Sequence, residues 1–251
     1  MDLREWPPKG SVRHPWETAR FHFFAKILLT TGLNLKPIMI LDAGAGDGWF
    51  SSRIISLMHP HTIITCWDGE YNKEKIKIIS ATAATERIRY TSEKPVEKFD
   101  LLILLDVLEH VDDDAAFLST IINDNLHDDS FALISVPAWP MLYSKHDEHL
   151  KHLRRYCPKK CKELLQKNGL KIIASGGLFH SLLLPRFLSI ILNLILAPRN
   201  MVKDIGDWQY GHFLTGCIEK MLFMDNEVSL LFSKLKLDLP GLSWWALCKK
   251  Q

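Results

Sequence analysis

The stretch Met39-Ile40-Leu41-Asp42-Ala43-Gly44-Ala45-Gly46-Asp47-Gly48-Trp49-Phe50 decides how this chain is read. Its apolar opening, closed by Asp42, predicts a short buried strand. Glycines follow at every second position, and the mixed run from Trp49 to Met58 predicts a helix. Glycine has no Cβ and tolerates positive φ, so the backbone can approach a bound molecule closely there. A helix starting directly after such a turn aims its free N–H groups at a negative group. Strand, turn and helix start together describe a ligand site.

Spacing narrows the ligand. A dinucleotide turn is G-x-G-x-x-G. Here the third glycine comes one residue early, and Trp49 fills the place of the last dinucleotide glycine. An indole there obstructs helix–strand packing and disfavours a dinucleotide oxidoreductase. Asp42, two residues before Gly44, can accept hydrogen bonds from an amino group or anchor the turn. Asp68 closes a second apolar run, Ile63 to Trp67, and its carboxylate can take both hydroxyls of a ribose. An acid followed by G-x-G-x-G, with another acid ending strand two, resembles the class I S-adenosylmethionine-dependent methyltransferases. The resemblance implies an α/β fold with a doubly wound, mostly parallel seven-stranded sheet. It also implies S-adenosylmethionine as cofactor, with Asp42, Gly44 and Gly46 at its methionine portion and Asp68 at its ribose.

Composition agrees with such a fold. At 251 residues the chain can bury a sizeable core. Its 31 basic and 29 acidic side chains leave a net charge of +2, too balanced for a general nucleic-acid binder. Five scattered cysteines and a charged start, Met1-Asp2-Leu3-Arg4-Glu5, point to a reducing cytoplasm. Cys157 and Cys161 lack a second pair and read as ordinary buried thiols rather than metal ligands.

Working outward, residues 1–35 read as an irregular arm and a helix, with Ala19, Phe23 and Ile27 at helical spacing from Trp16 to Thr30. In the methyltransferases this chain resembles, such a helix packs over the cofactor, and Trp16 and Arg20 match its Trp and Arg loosely; ordinary core aromatics are the plainer reading. Residues 36–177 read as the cofactor-binding core. A helix from Asn72 to about Ala84 precedes strand three, Ile88 to Thr91, and Ser92 or Glu93 falls where the family contacts adenine. Strand four, Phe99 to Leu105, is nearly all apolar and therefore buried on both faces. It runs into Asp106-Val107-Leu108-Glu109-His110-Val111, similar to the superfamily's fourth-strand motif, which places Asp106 at the cofactor. A helix from about Asp113 to Asn125 and strand five, Phe131 to Val136, follow. Strands alternating with helices place ligands outside the carboxyl ends of the strands.

A second informative stretch runs from Ser135 to Tyr156. Val136-Pro137-Ala138, His146-Asp147 and His152-x-Arg154-Arg155-Tyr156 resemble a bacterial methyltransferase subgroup with V-P-A, H-D and H-x-R-R-Y after strand five. Methyl transfer needs a nucleophile held about 3 Å from the methyl carbon in line with the sulfur, and a base where that nucleophile is an alcohol. Histidine titrates nearest neutrality, so His146 is the first candidate base, with Asp147 beside it and His152 next. Alternatively these residues cap the loop and pin its helix. Arg154 and Arg155, with Tyr156, are candidates to hold the substrate through bidentate bonds to a carboxylate or phosphate, or to pair with neighbouring acids. Asp106, Glu109 and His110 resemble the metal site of ubiquinone-pathway O-methyltransferases and small-RNA 2′-O-methyltransferases, where the first acid is Glu and a further histidine completes the set. Metal-free relatives carry a similar pair, so the expected metal is none, with these three as the alternative.

A helix from Lys159 to Asn168 leads to strand six, Leu170 to Ser175. Residues 178–240 then form an insertion before the last strand, Leu242 to Cys248 (within residues 241–251), predicted helical. Phe187 to Pro198 carries no charge but is short of the ~20 residues of a membrane crossing. Phe213 to Lys236 reads as one or two amphipathic helices. The apolar run, residues 182–197, suits either a homodimer contact or a surface lying on lipid, and Arg186, Arg199, Trp208 and Tyr210 around it favour anionic headgroups. The expectation is a cytoplasmic, peripheral membrane O-methyltransferase of one domain. It takes a small-molecule, lipid or lipid-linked glycan acceptor and no nucleic acid. The alternative is a non-catalytic cofactor-binding partner docked at a membrane or on another enzyme.

Overall fold

The computed structural model describes residues 13–82, 85–195, 211–235 and 237–251. Residues 1–12 of the expected arm, and Arg199, Trp208 and Tyr210 beyond the apolar run, lie outside them. Seven strands form one sheet: β1 (Met39–Ala43), β2 (Ile63–Trp67), β3 (Ile88–Thr91), β4 (Phe99–Leu105), β5 (Leu126–Pro137), β6 (Leu170–Leu178) and β7 (Ser243–Lys250). Their order is β3-β2-β1-β4-β5-β7-β6. The pairs β1–β2, β1–β4, β2–β3 and β4–β5 are parallel, and β7 runs antiparallel to both neighbours. This is the doubly wound, mostly parallel sheet the sequence predicts. The order in which strands are added reverses between β1 and β4, which opens a crevice at their carboxyl ends.

Both faces of the sheet are covered, which is why its central strands are continuously apolar. Successive residues alternate between the two faces. Ile40, Leu101, Ile103 and Leu133 join one core with Phe23, Phe24 and Leu28 of α1 (Pro15–Leu29). Leu41, Leu102, Leu104 and Ile134 join the other, with Leu118 and Ile122 of α4 (Asp114–Asn125) and Leu165 of α6 (Pro158–Lys167). α2 (Trp49–Ile54) and α3 (Lys73–Thr82) lie on the first face; α5 (Lys145–His149) is a single turn after β5.

Several boundaries differ from expectation for local reasons. The helix after the glycine turn ends at Ile54 and tightens into a 3-10 turn, Ile55–Leu57. β5 starts at Leu126, which pairs with Phe99 of β4, and the register shift before the next pair, Leu101 with Phe131, takes up the polar residues between. β6 continues three residues past Ser175 to Leu178, paired with the start of β7.

The insertion divides into two unlike parts. α8 (His212–Lys234) is one continuous helix packed on α1 and β6. Leu222, Asn226, Ser229 and Leu230 form its buried face; Asn226 accepts from Phe179 N at 3.4 Å, and Trp245 Nε1 donates to Ser229 Oγ at 3.2 Å. α8 therefore belongs to the core. α7 (Leu183–Ile195) is different: Leu184, Phe187, Leu188 and Leu192 are all exposed. The loop entering β7 crosses the end of β6 so closely that a Cβ on Gly177 would lie 2.3 Å from Gly241 N and 2.4 Å from Leu239 O. Among the described residues no helix is long and apolar enough to cross a membrane.

Candidate cofactor and acceptor site

The carboxyl ends of β1, β2, β4 and β5 meet at a cavity of about 1020 Å³. Gly44, Asp68, Asp106 and Pro137 lie on its wall, one from each strand end. A small pocket of about 40 Å³ sits beside it and shares Trp16, Arg20, Gly44 and Leu105; Asp42, Asp47 and Trp49 complete it. The two spaces follow one crevice, from the first turn of α2 across the sheet ends to α7 and α8.

The glycine turn is built to approach a ligand. Gly44, Gly46 and Gly48 all have positive φ, at 70°, 57° and 70°. Gly44 N donates to Trp67 O at 2.7 Å, and Gly46 N donates to the Asp68 carboxylate at 3.0 Å. A Cβ on Gly44 would lie 2.5 Å from Val107 Cγ2, so the turn tolerates no side chain there. Asp42 is buried and accepts from Ser51 Oγ at 2.6 Å, in the first turn of α2. Of the two roles open to Asp42, anchoring the turn is therefore the one made within the protein. Burial lifts its pKa to about 6, against the opposing pull of the Ser51 hydrogen bond. Asp68 also accepts from Glu70 N at 2.9 Å, which fixes its carboxylate at the wall.

α1 lines this end of the crevice with Trp16 and Arg20. The Arg20 guanidinium lies over the Trp16 ring at 4.8 Å and pairs with Asp106, whose other oxygen accepts from Ser135 Oγ at 3.1 Å. Asp106 adopts φ 57°, a left-handed conformation uncommon for a residue with a side chain. Ser92 and Glu93 do not line the cavity; the wall near Asp68 is instead Trp67, Gly69, Val107 and Phe117. The Trp67 and Phe117 rings stack at 6.3 Å, and the buried Trp67 Nε1 has no partner among the described residues. The pair gives the wall beside Asp68 a flat aromatic surface. Nothing in the local sequence marks either aromatic as different from core.

At the far end, Asp147 organises the polar groups. Its side chain is fully buried and accepts from Arg155 Nε at 2.7 Å, Arg186 at 3.0 Å and Ser144 N at 3.0 Å, the last closing a capping box on α5. His152 Nδ1 lies 3.0 Å from the same carboxylate. Burial alone raises this acid, but His152 and the Arg155 guanidinium outweigh it and hold the pKa at about 2. An ionised Asp147 can only accept at this contact, so His152 Nδ1–H donates to it and Nε2 is left as an acceptor. His152 is further fixed by its backbone N–H on Asp147 O at 2.8 Å, and Leu153 N on Glu109 O at 2.8 Å. His146 also lines the cavity; burial, then Arg186, lowers its pKa. Asp147 thus pairs with His152, five residues on, while His146, the first candidate base from the sequence, also lines the cavity.

Arg154 and Tyr156 stand away from the cavity. Arg154 donates to Asp112 O at 2.8 Å and pairs with Asp114 at 3.3 Å. Tyr156 Oη lies 2.7 Å from the Asp114 carboxylate and 3.0 Å from Leu108 O, tying the segment before α6 to α4 and to the turn after β4. Arg155 does reach the wall, and Arg186 joins it from α7. Glu109 is wholly buried on the same wall, both carboxylate oxygens lacking a partner among the described residues. Burial, then the nearby Asp106, pushes its pKa well up. Ligand atoms of Glu109, His110 and His152 all lie within 4.8 Å of one another. One carboxylate and two imidazoles suit a divalent transition ion; Asp106, committed to Arg20 and Ser135, is not part of that set.

Comparison with solved structures places this arrangement in context. A candidate sarcosine dimethylglycine methyltransferase from Galdieria sulphuraria superposes with a TM-score of 0.60 at 15% identity, over 92% of this chain and 85% of the other. Magnesium protoporphyrin IX methyltransferase from Synechocystis PCC 6803, solved with bound S-adenosylhomocysteine, gives 0.55 at 16% identity, over 69% and 84%. The cyclase SpnF gives 0.54 at 12% identity, over 98% and 85%. Likeness at such identities establishes the fold and leaves the chemistry to the site. A comparison with curated proteins gives no match. The profile of the methyltransferase domain family matches residues 16–175, from Trp16 through the glycine turn and the His152 loop into β6, and the chain belongs to that family.

Proposed function

We propose that this protein transfers a methyl group from S-adenosylmethionine to an acceptor oxygen, with His152 as the general base. The observation that carries this is His152 Nδ1 at 3.0 Å from a buried, ionised Asp147 on the cavity wall. S-adenosylmethionine is the cofactor: the glycine turn, Arg20 and Asp42 serve its methionine end, Asp68 its ribose, and the Trp67–Phe117 slot its base. The acceptor oxygen attacks the methyl carbon, the carbon–sulfur bond breaks, and the sulfur keeps the electron pair. The hydroxyl proton passes to His152 Nε2, and Asp147 stabilises the resulting imidazolium. The Val136-Pro137-Ala138, His146-Asp147 and His152 to Tyr156 pattern, typical of the bacterial subgroup this stretch resembles, accounts for the loop that carries these groups.

The cavity's apolar lining, including Leu182, Ile218 and Leu222, supports a lipid or lipid-linked acceptor. The exposed stripe of Leu184, Phe187, Leu188 and Leu192 begins beside that wall and supports work at a cytoplasmic membrane surface. A second reading rests on the orphaned Glu109 carboxylate: a divalent ion held by Glu109, His110 and His152. Such an ion would polarise the acceptor oxygen, and His152 would then be a ligand rather than the base.

Conversion of S-adenosylmethionine to S-adenosylhomocysteine, with a membrane-lipid extract supplying acceptor, tests both readings. His152→Ala should lower turnover by about 10²–10⁴ with cofactor affinity by calorimetry nearly unchanged. Activity that survives exhaustive chelation favours the base; activity lost to chelator and restored by a divalent ion favours the metal. Cofactor binding with no turnover under any of these conditions returns the protein to a non-catalytic, cofactor-binding partner.

A further inference from the structure

Two guanidiniums face one carboxylate at the α7 end of the cavity. Asp147 is shared between Arg155 and Arg186, and its remaining contacts are Ser144 and His152. Arg155 spends a second donor on Ala138 O at 3.2 Å, and Arg186 one on Ser144 Oγ at 2.7 Å. Arg186 keeps its Nε buried without a partner among the described residues, and its side chain is only 20% exposed. Burial, then the neighbouring Arg155, works against its charge. Of the other acids on the wall, Asp106 is committed to Arg20 and Ser135 and Asp68 to the turn and Glu70 N, Glu70 stands beside Asp68 and Asp112 just ahead of α4, and burial, then Asp106, favours the uncharged form of Glu109. Among the described residues the cluster therefore carries one positive charge more than it balances, beside an apolar wall. An excess charge withdrawn from water is costly until a counter-charge reaches it.

We propose that Arg186, with Arg155 beside it, anchors a carboxylate or phosphate on an amphiphilic acceptor whose apolar body lies against Leu182, Ile218 and Leu222. This rests on reading the cavity as the acceptor site of a methyltransferase. Guanidinium forks match both anions through paired hydrogen bonds. The anchored anion is a handle and not the nucleophile: it holds the molecule so that a hydroxyl further along reaches His152. Because Arg186 comes from α7, the insertion supplies the acceptor's recognition group as well as its apolar wall.

Binding of dodecyl phosphate, dodecanoate, dodecanol and dodecyltrimethylammonium separates head-group charge from chain. Calorimetry with the full chain saturated in S-adenosylhomocysteine, below micelle-forming concentrations, should show both anions at least tenfold tighter than the alcohol, and the cation weakest. Arg186→Gln should remove at least tenfold from the anions and leave dodecanol unchanged; Arg154→Gln, outside the cavity, should change neither. Dodecanol binding as tightly as dodecyl phosphate in the unmodified protein overturns the proposal without any variant, as does an Arg186→Gln protein with the same head-group preference. S-adenosylhomocysteine is titrated first in each sample, so failure to bind it counts against the cofactor reading, and the amphiphile series alone then decides on Arg186.

Discussion

Asp42 and Asp147 are both buried acids, yet their surroundings push them in opposite directions. Asp147 sits between guanidiniums and stays charged; Asp42 has one hydroxyl partner and resists charging. A carboxyl whose folded pKa is raised favours the native state below its unfolded value, and that contribution is lost as pH rises through the folded value. For Asp42 the window runs from the model-peptide value of 3.8 to about 6. At ~1.4 kcal/mol per pKa unit, the ligand-free protein loses up to about 3 kcal/mol from this group across that window. Asp42→Asn retains an acceptor for Ser51 and has nothing to titrate. Urea unfolding at pH 4 and pH 7.5 should therefore show the variant gaining on the unmodified protein as pH rises. Equal changes in the two proteins would place the titrating group elsewhere.

At the scale of elements, the closure of the sheet depends on one backbone crossing. β7 enters between β5 and β6 only because Gly177 and Gly241 let two chains pass at a separation that excludes a Cβ. The obstacles are backbone atoms, which cannot swing aside as a side chain can. Gly177→Ala should cost at least about 1–3 kcal/mol, read as a lowered urea midpoint. Gly69→Ala, where a Cβ meets nothing within 4 Å, is the control and should keep the midpoint. The same crossing sets the position of α8, whose Ser229 holds Trp245 of β7. Loosening it should reach the cavity wall at Ile218 and Leu222.

At the scale of the whole molecule, α7 carries an apolar stripe that the described residues leave uncovered. α8 buries Leu222 and Leu230, while α7 leaves Leu184, Phe187, Leu188 and Leu192 in solvent and is tied down by Arg186 on Asp147 and Ser144. Apolar area in water is penalised at ~25 cal/mol per Å², which favours covering that stripe. With anionic vesicles, the unmodified protein should float. A variant carrying Leu184→Ser, Leu188→Ser and Leu192→Ser should remain in the soluble fraction while still binding the cofactor. An unmodified protein that stays soluble and runs as a dimer, which the variant loses, would make the stripe a contact between copies.

The sequence by itself determined whatever depends on neighbouring residues. The continuous burial of β1 and β4, the glycine turn and the acid ending β2 are all set by local pattern and by the absence of a Cβ. The turn and strand ends that face the cavity were legible for that reason. The cluster around Asp147 was not, because it is made by contacts between distant parts of the chain. Asp147 meets Arg186 across 39 residues, and Arg20 meets Asp106 across 86. Sequence could find His146, Asp147 and His152 but not which histidine the carboxylate turns toward. It could find Arg154 and Arg155 but not which one faces the cavity. It read α7 and α8 as one insertion, and only tertiary packing made α8 part of the core. Where a side chain's role depends on which distant partner desolvates or neutralises it, the chain's path through space decides, and local pattern carries no record of that path.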